Sequence, residues 1–480
     1  MEVLAVASEI YPFVKTGGLA DVVGALPRAF SRDSVAVTTL VPGYSALKRA
    51  INSAETVLEI PDLFGGDVRL LGTRVADTDL LVIDAPHLFD REGNLYTGAD
   101  GTDWPDNAFR FGALSWVAAR VGLGAVPAYI PDIIHVHDWQ GGLALAYLAY
   151  AAVPRPRTLF TVHNLSFQGQ FQAELLQPLR LPEAAFSIDG IEAYGMINFL
   201  KAGLQFADRI TTVSPTYAQE IQNADQGCGL DGLLRARAGI LRGIRNGIDT
   251  AVWNPETDPR IVSRFSLANL SSRSPNKASL QRRFGLEENA DRLLFGVVSR
   301  LAWQKGLDLL LAAVPKFVAL GAQLAILGSG DAGLEERFTS LAQTHPDTFG
   351  CFVGYDENLA HLIQAGADVI LVPSRFEPCG LTQLCAMRYG AIPLVAKVGG
   401  LADTITDLTE APTGGLPTGI QFYPVEQKGL EVALERAAAL WTDKDGWRTI
   451  QANAMGRDVS WTEPANQYLQ LYRELALHKN

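Results

Sequence analysis

Short apolar runs rich in β-branched residues recur along the chain, and the stretches between them carry apolar positions at helical spacing. In the first half the runs are VLAVA (3 to 7), VAVTTL (35 to 40), LLVID (80 to 84), IIHVH (133 to 137), TLFTV (158 to 162) and RITTV (209 to 213). Continuous apolar runs of this length predict strands buried on both faces, the pattern of a parallel sheet covered by crossover helices. The rhythm restarts after residue 290 with LLFGVV (293 to 298), QLAIL (323 to 327), DVILV (368 to 372) and IPLVA from residue 392. Two α/β units follow. Between them, RNGIDTAVWNPETDPRIVSRF and SSRSPN are interrupted by Pro255, Pro259 and Pro275, so continuous helix or strand is poorly supported there. The connection falls near residue 245, giving a first domain over 1–244 and a second over 245–456. The last stretch, 457–480, has apolar residues at helical spacing from Trp461 to Leu475 and begins no third sheet. It is expected to pack back on the first domain.

In open parallel sheets, ligands bind outside the carboxyl ends of the strands. The residues just past the predicted strands are polar or glycine-rich: Ser8 and Glu9, His137 and Asp138, His163 and Asn164, and Ser214 in the first unit. In the second they are Ser299 and Arg300, Gly328 to Gly330, Ser374 and Arg375, and Gly399 and Gly400. Chemistry is therefore expected at these rims.

Composition narrows the partners. The chain has 480 residues, 48% apolar and 19% charged, the balance of a globular protein. Its formal charge of -12 and lack of a Lys/Arg-rich run exclude a phosphate-backbone surface, so no nucleic acid is expected. A small anion remains possible, because a few local donors hold it. Cys228, Cys351, Cys379 and Cys385 show no CxxC pairing, which argues against a disulfide framework and a zinc site. The N-terminal apolar run reads as a first strand, and no run approaches a membrane span. No membrane partner and a cytosolic location are expected.

Five segments carry candidate chemistry. KTGGLADVVGALP, 15 to 27, sets Lys15 and two glycines before an amphipathic helix, where backbone amides could hold a diphosphate; the alternative is a glycine turn with a solvated lysine. SRLAWQKGLDLLL, 299 to 311, brings Arg300 and Lys305 to one loop, either to neutralise a phosphate leaving group or as ordinary surface cations. In SRFEPCGLTQL, Glu377 precedes Cys379, Gly380, Leu381 and Thr382, which open a helix whose amides could face a phosphate. Glu377 then stands where it could bond sugar hydroxyls or stabilise anomeric charge; otherwise it braces the loop. HVHDWQ and FTVHNLSFQGQF end two strands with His137, Asp138, His163 and Asn164 beside Trp139, Phe167 and Phe171, a mixture suited to carbohydrate. A metal site at His135 and His137 is the rival reading, but their i, i+2 spacing also suits strand alternation and no carboxylate-rich set joins them.

Taken in order, these segments together with INFLKAGL, TTVSPTYAQEI, GLDGLL, RNGIDTAVWNP and GGLADT resemble the bacterial glycogen synthases and plant starch synthases over essentially the entire chain. The resemblance implies an α/β GT-B fold: two Rossmann-like domains with a deep interdomain cleft, and a C-terminal helix crossing back to the first. It implies retaining, metal-independent transfer from ADP-glucose to an α-1,4-glucan, with no cofactor. By motif position, Lys15, Gly18, Asn246, Arg300, Lys305, Gly354, Tyr355, Glu377, Cys379, Gly380, Leu381 and Thr382 resemble donor contacts. Glu9, Tyr96, Asp138, His163 and Asn164 fall on the sugar and acceptor side, and Glu377, Arg300, Lys305, His163 and Lys15 form the catalytic set. Two departures stand out. Lys397 and Val398 replace a common Arg-Thr, and Cys385 replaces a common aromatic.

Two readings compete with this one. A related transferase using a UDP- or GDP-sugar would carry similar phosphate loops, and a catalytically silent glucan-binding protein would keep the sugar-facing rim. A dehydrogenase fits poorly, because SEIYPFVKTGG is not GxGxxG.

Overall fold

The computed structural model describes residues 1–31, 33–98, 101–410 and 415–477. The chain divides into two compact units, Met1–Asn246 with Trp461–Asn480, and Gly247–Ser460. The first unit holds strands β1 (Glu2–Val6), β2 (Ala36–Pro42), β3 (Glu55–Ile60), β4 (Val68–Val75), β5 (Thr78–Asp84), β6 (Ile133–His137), β7 (Arg157–Val162), β8 (Gln170–Gln172), β9 (Glu192–Ala193), β10 (Met196–Asn198), β11 (Arg209–Thr212) and β12 (Leu241–Gly243). Nine of them form one sheet in the order β12-β11-β7-β6-β1-β2-β5-β4-β3. This sheet is mixed rather than parallel throughout: β3 pairs with β4 and β4 with β5 antiparallel, at one edge. The edge pair is half exposed, so it lacks the continuous apolar run that marks the central strands. A separate antiparallel sheet joins β8, β10 and β9.

The central strands β6 and β1 are buried along nearly their whole length. The helix Gly18–Ala29 turns Val22 and Leu26 toward the same apolar cluster as Trp461, Tyr468, Leu471, Tyr472 and Leu475 of the final helix, Thr462–Leu477. Burying side chains of this size stabilises by about 1.5–3 kcal/mol each. That is why the C-terminal segment belongs to the first unit.

The second unit carries β13 (Leu294–Val298), β14 (Gln323–Gly328), β15 (Phe349–Val353), β16 (Val369–Val372), β17 (Ile392–Ala396) and β18 (Ile420–Phe422), all parallel, in the order β15-β14-β13-β16-β17-β18. Side chains alternate between two cores. Phe295, Val297, Leu324, Ile326 and Leu371 enter one, while Leu294, Ala325, Leu327 and Ile370 enter the other. From 244 to 266 the chain runs without regular helix or strand. Pro275, expected to interrupt structure, instead sits in the first turn of the helix Ser274–Arg283, where its missing N–H costs nothing. Among the described residues no helix is long and apolar enough to cross a membrane.

Candidate functional site

In the second unit, the loops after β13 and β16 are bound together. Lys305 ends a short turn, Trp303–Lys305, and its Nζ donates to both oxygens of Glu377, at 2.9 Å to Oε1 and 2.7 Å to Oε2. Ser374, fully buried, donates its hydroxyl to Glu377 Oε2 at 2.8 Å. The Gly400 amide donates to the Glu377 carbonyl at 3.0 Å, which ties in the GGLADT segment. Around this core, Arg375 forms two bonds of 2.6 Å to Asp308 and lies over the Trp303 ring at 4.4 Å. That hydrogen bonding holds the Asp308 carboxyl below its ordinary pKa, although burial opposes it.

One glycine makes this approach possible. Gly306 has φ +68°, and a Cβ there would lie 2.0 Å from the Pro373 carbonyl oxygen. Only glycine lets the backbone beside Lys305 come so close to the end of β16.

Other residues of the expected donor set lie in loops of the same unit. Arg300 is exposed, with Nη2 at 3.5 Å from Gln304 Oε1. Cys379 is buried, and Gly380 takes φ +74° just before the helix Thr382–Arg388, with Leu381 as its N-cap. Gln383, adjoining Thr382, is fully buried and bonds the carbonyls of Cys379 and Gly380, each at 3.0 Å, while its Oε1 has no partner. Gly354 follows β15 and donates its amide to the Gly328 carbonyl at 3.0 Å; Tyr355 is exposed and bonds Glu357. Lys397 forms an ion pair with Glu410.

In the first unit, Glu9 lies just past β1 and is buried. Its carboxylate accepts from the Thr16 amide at 2.6 Å, the Thr16 hydroxyl at 2.5 Å, the Gly17 amide at 3.3 Å and the Tyr96 hydroxyl. The Tyr96 hydroxyl also lies 2.8 Å from Ser8 Oγ. Two of the amides expected to face an anion in the KTGG loop are thus occupied by Glu9, and Lys15 pairs with Asp21 at 2.9 Å. Gly18 opens the helix that follows. Glu9 and Tyr96, expected toward a sugar, are here engaged in bracing this loop. Burial and the Glu9 charge push the Tyr96 pKa well above its ordinary value.

At the ends of β6 and β7, Asp138 takes φ +58°, a left-handed conformation that turns the chain sharply into the helix Asp138–Ala149. Its Oδ1 accepts the His163 amide at 2.6 Å. Burial raises the Asp138 pKa to about 7; backbone bonds from His163 and Asn164 oppose this and the Glu9 charge adds to it. Asn164 Oδ1 accepts the Ser166 amide at 3.0 Å, a short turn that shapes the loop. Asn246 is buried with its Oδ1 unpartnered. Among the described residues, no group of three His, Cys, Asp or Glu could hold a metal ion.

Sequence reasoning missed Gln383 and Thr16 as site residues, and placed Ser374 on the rim without giving it a role. Ser374 stands three residues before Glu377, a spacing at which a hydroxyl can return to a carboxylate in a turn. Nothing in the sequence marks Gln383.

Comparison with known proteins adds the following. The family model for the starch synthase catalytic domain matches residues 2–236, and that for glycosyl transferases group 1 matches residues 280–448. The chain is 59% identical over 473 residues to a glycogen synthase of Rhodopseudomonas palustris (strain BisB18), covering 98% of this chain and 97% of that one. It is 56% identical to a glycogen synthase of Acidiphilium cryptum, covering 99% of each. Its structure is similar to the catalytic domain of starch synthase IV from Arabidopsis thaliana bound to ADP and acarbose, with TM-score 0.91, 33% identity and 99% of each chain covered. A sucrose-phosphate synthase from Thermosynechococcus elongatus shares the fold at TM-score 0.57 and 18% identity.

Proposed function

The chain belongs to the glycogen and starch synthase family of GT-B glycosyltransferases, and from that premise we propose that it transfers glucose from ADP-glucose to the non-reducing end of an α-1,4-glucan. Transfer proceeds with retention and without a metal ion or cofactor. The observation that carries this reading is the Lys305–Glu377 contact, held by Ser374 in the loops beyond β13 and β16.

The reaction breaks the bond between the anomeric carbon and a phosphate oxygen of ADP. A bond forms from that carbon to the acceptor hydroxyl oxygen, and the hydroxyl proton ends on the departing phosphate. Negative charge grows on the diphosphate while positive charge grows on the sugar. Lys305 and Arg300 stabilise the first and Glu377 the second, which is why a cation and a carboxylate must be held side by side. Lys305 and Ser374 hold the Glu377 carboxylate in one orientation. Asp138 and His163 serve the transferred glucose and the acceptor, and Lys15 and Gly18 the diphosphate.

The ADP and acarbose bound to the starch synthase IV relative support an adenine nucleotide and a glucan for this chain as well. A glycogen-primed assay comparing ADP-glucose with UDP-glucose tests the reading. Elongation at least about tenfold faster from ADP-glucose is expected, a difference of about 1.4 kcal/mol in the transition state. Equal rates, or preference for UDP-glucose, would overturn the assignment of the nucleotide.

A further inference from the structure

Behind His163 the first unit buries two more histidine rings that the reaction as described does not use. His135 and His137 alternate along β6, with ring centroids 4.1 Å apart, and the His137 ring lies 5.2 Å from that of His163. His137 Nδ1 is 3.0 Å from His163 Nε2. His135 is fixed from both sides, by the Tyr472 hydroxyl at 2.7 Å from Nδ1 and the Thr161 hydroxyl at 2.6 Å from Nε2. Burial pushes the pKa of His135 and of His163 down to about 3, and that of His137 well below its ordinary value, so all three rings are neutral near pH 7.

A neutral imidazole carries one N–H and one bare nitrogen. A single proton therefore lies between His137 Nδ1 and His163 Nε2, and its position decides what the other nitrogen of His163 offers. If the proton sits on His137, His163 Nδ1 must be a donor. If it sits on His163 Nε2, Nδ1 is a bare acceptor. The His163 backbone is held in place by Asp138, and among the described residues His163 Nδ1 has no hydrogen-bond partner.

We propose that His137 is a positioning residue that locks His163 in its Nε2–H tautomer, leaving Nδ1 to accept a hydrogen bond from a sugar hydroxyl. The inference rests on the reading of His163 as a sugar-facing group given above. In this arrangement both His137 and His163 carry the proton on Nε2, the form a neutral imidazole side chain favours in water. The bond made by one ring nitrogen sets the role of the other, and His137 makes that bond. The His135 ring, packed against His137 at a tilt of 35° and tied through Tyr472 to the C-terminal helix, keeps His137 from rotating away.

The test uses the full chain with ¹⁵N-labelled histidine. Long-range proton–nitrogen spectra of the unsubstituted protein should show His163 protonated at Nε2 and bare at Nδ1. His137→Phe keeps an aromatic ring against His135 but removes the acceptor. It should move the His163 nitrogens toward averaged tautomer shifts and lower kcat about tenfold, the order of one lost hydrogen bond. His137→Asn places an amide oxygen where Nδ1 stood, and should restore both the tautomer and most of the turnover. A His163 protonated at Nδ1 in the unsubstituted protein, or a His137→Phe protein with unchanged His163 shifts, would overturn the inference. So would failure of His137→Asn to restore the tautomer. A His163→Ala protein with normal elongation would instead remove the sugar-facing role, leaving the tautomer result to stand or fall by itself.

Discussion

At the scale of single residues, the candidate chemistry depends on a small set of charge-assisted hydrogen bonds. Lys305 meets both oxygens of Glu377, and Ser374 fills one remaining acceptor position on that carboxylate. Replacing Lys305 with alanine removes a cation at the point where diphosphate charge develops, and turnover should fall about a hundredfold or more, as for other lost transition-state donors. Ser374→Ala removes a neutral donor to the same carboxylate. A hydrogen bond to a charged group is worth about 1.5–3 kcal/mol, so turnover should fall about tenfold to a hundredfold while the protein stays folded. Steady-state kinetics with ADP-glucose and glycogen, beside thermal melts, checks both; a Ser374→Ala protein with normal kcat would show that Lys305 alone orients Glu377. The sequence made Lys305 and Glu377 visible one at a time, each within its own motif. Their contact was not legible, because they lie far apart along the chain and meet only where adjacent strands β13 and β16 bring their loops together. The partners of Glu9 were hidden for a similar reason. A carboxylate past a strand suggests a ligand, yet its oxygens are engaged by Thr16, Gly17 and Tyr96.

At the scale of elements, the strands that were legible are those buried on both faces, such as β6, β7, β13 and β16, whose unbroken apolar runs have no other economical explanation. The half-exposed pair β3 and β4 and the three-residue β18 gave no such run, and their pairing comes from neighbours rather than from their own pattern. Loops at the strand ends were legible as glycine-rich but not as to which glycine matters. Gly306 and Gly321 make the comparison. Both have positive φ, +68° and +62°, but a Cβ at Gly306 would meet the Pro373 carbonyl oxygen at 2.0 Å whereas one at Gly321 meets nothing within 4 Å. Alanine at Gly321 should cost only the backbone strain, about 1 kcal/mol. Alanine at Gly306 should cost that strain plus the displacement of the Lys305 loop, and should lower turnover as well as melting temperature. Melting curves and kcat for the two variants, measured side by side, decide the point: equal effects at the two positions would mean that the loop after β13 can shift without disturbing Lys305.

At the scale of the whole molecule, the two units carry buried titratable groups whose pKa values move in opposite directions. In the first, His135, His137 and His163 are kept neutral by burial, with pKa values well below the ordinary 6.5. The unfolded chain binds their protons first, so below about pH 6.5 each removes about 1.4 kcal/mol of stability per pH unit until its folded pKa is reached. Asp138 works the other way. Its folded pKa of about 7 exceeds the ordinary 3.8, so the folded state binds its proton first and acidification through that range is stabilising. Three histidines against one aspartate leave a net loss of stability in acid. In the second unit, His361 is fully buried, stacked on Trp253 at 3.8 Å and bonded through Nδ1 to Asp258 at 2.7 Å. Burial alone would lower its pKa, but the bonds and charge of Asp258, aided by Glu357 and opposed by Arg260, raise it above 6.5. Tyr389 bonds the same Asp258 oxygen at 2.6 Å. The His361 contribution is complete below pH 6.5 and is lost as pH rises through the folded pKa. Hydrogen exchange read by mass spectrometry from about pH 8 to pH 5, corrected for intrinsic rates, should therefore show protection of the β6 and β7 peptides falling with acid. Over the same range, peptides spanning Asp258 and His361 should hold or gain protection. Parallel loss in both sets would mean that carboxylates elsewhere, not these buried histidines, govern the acid response. His361→Gln should then abolish the gain in the second set alone, because it removes the proton that the folded state binds more tightly while leaving the histidines of the first unit untouched.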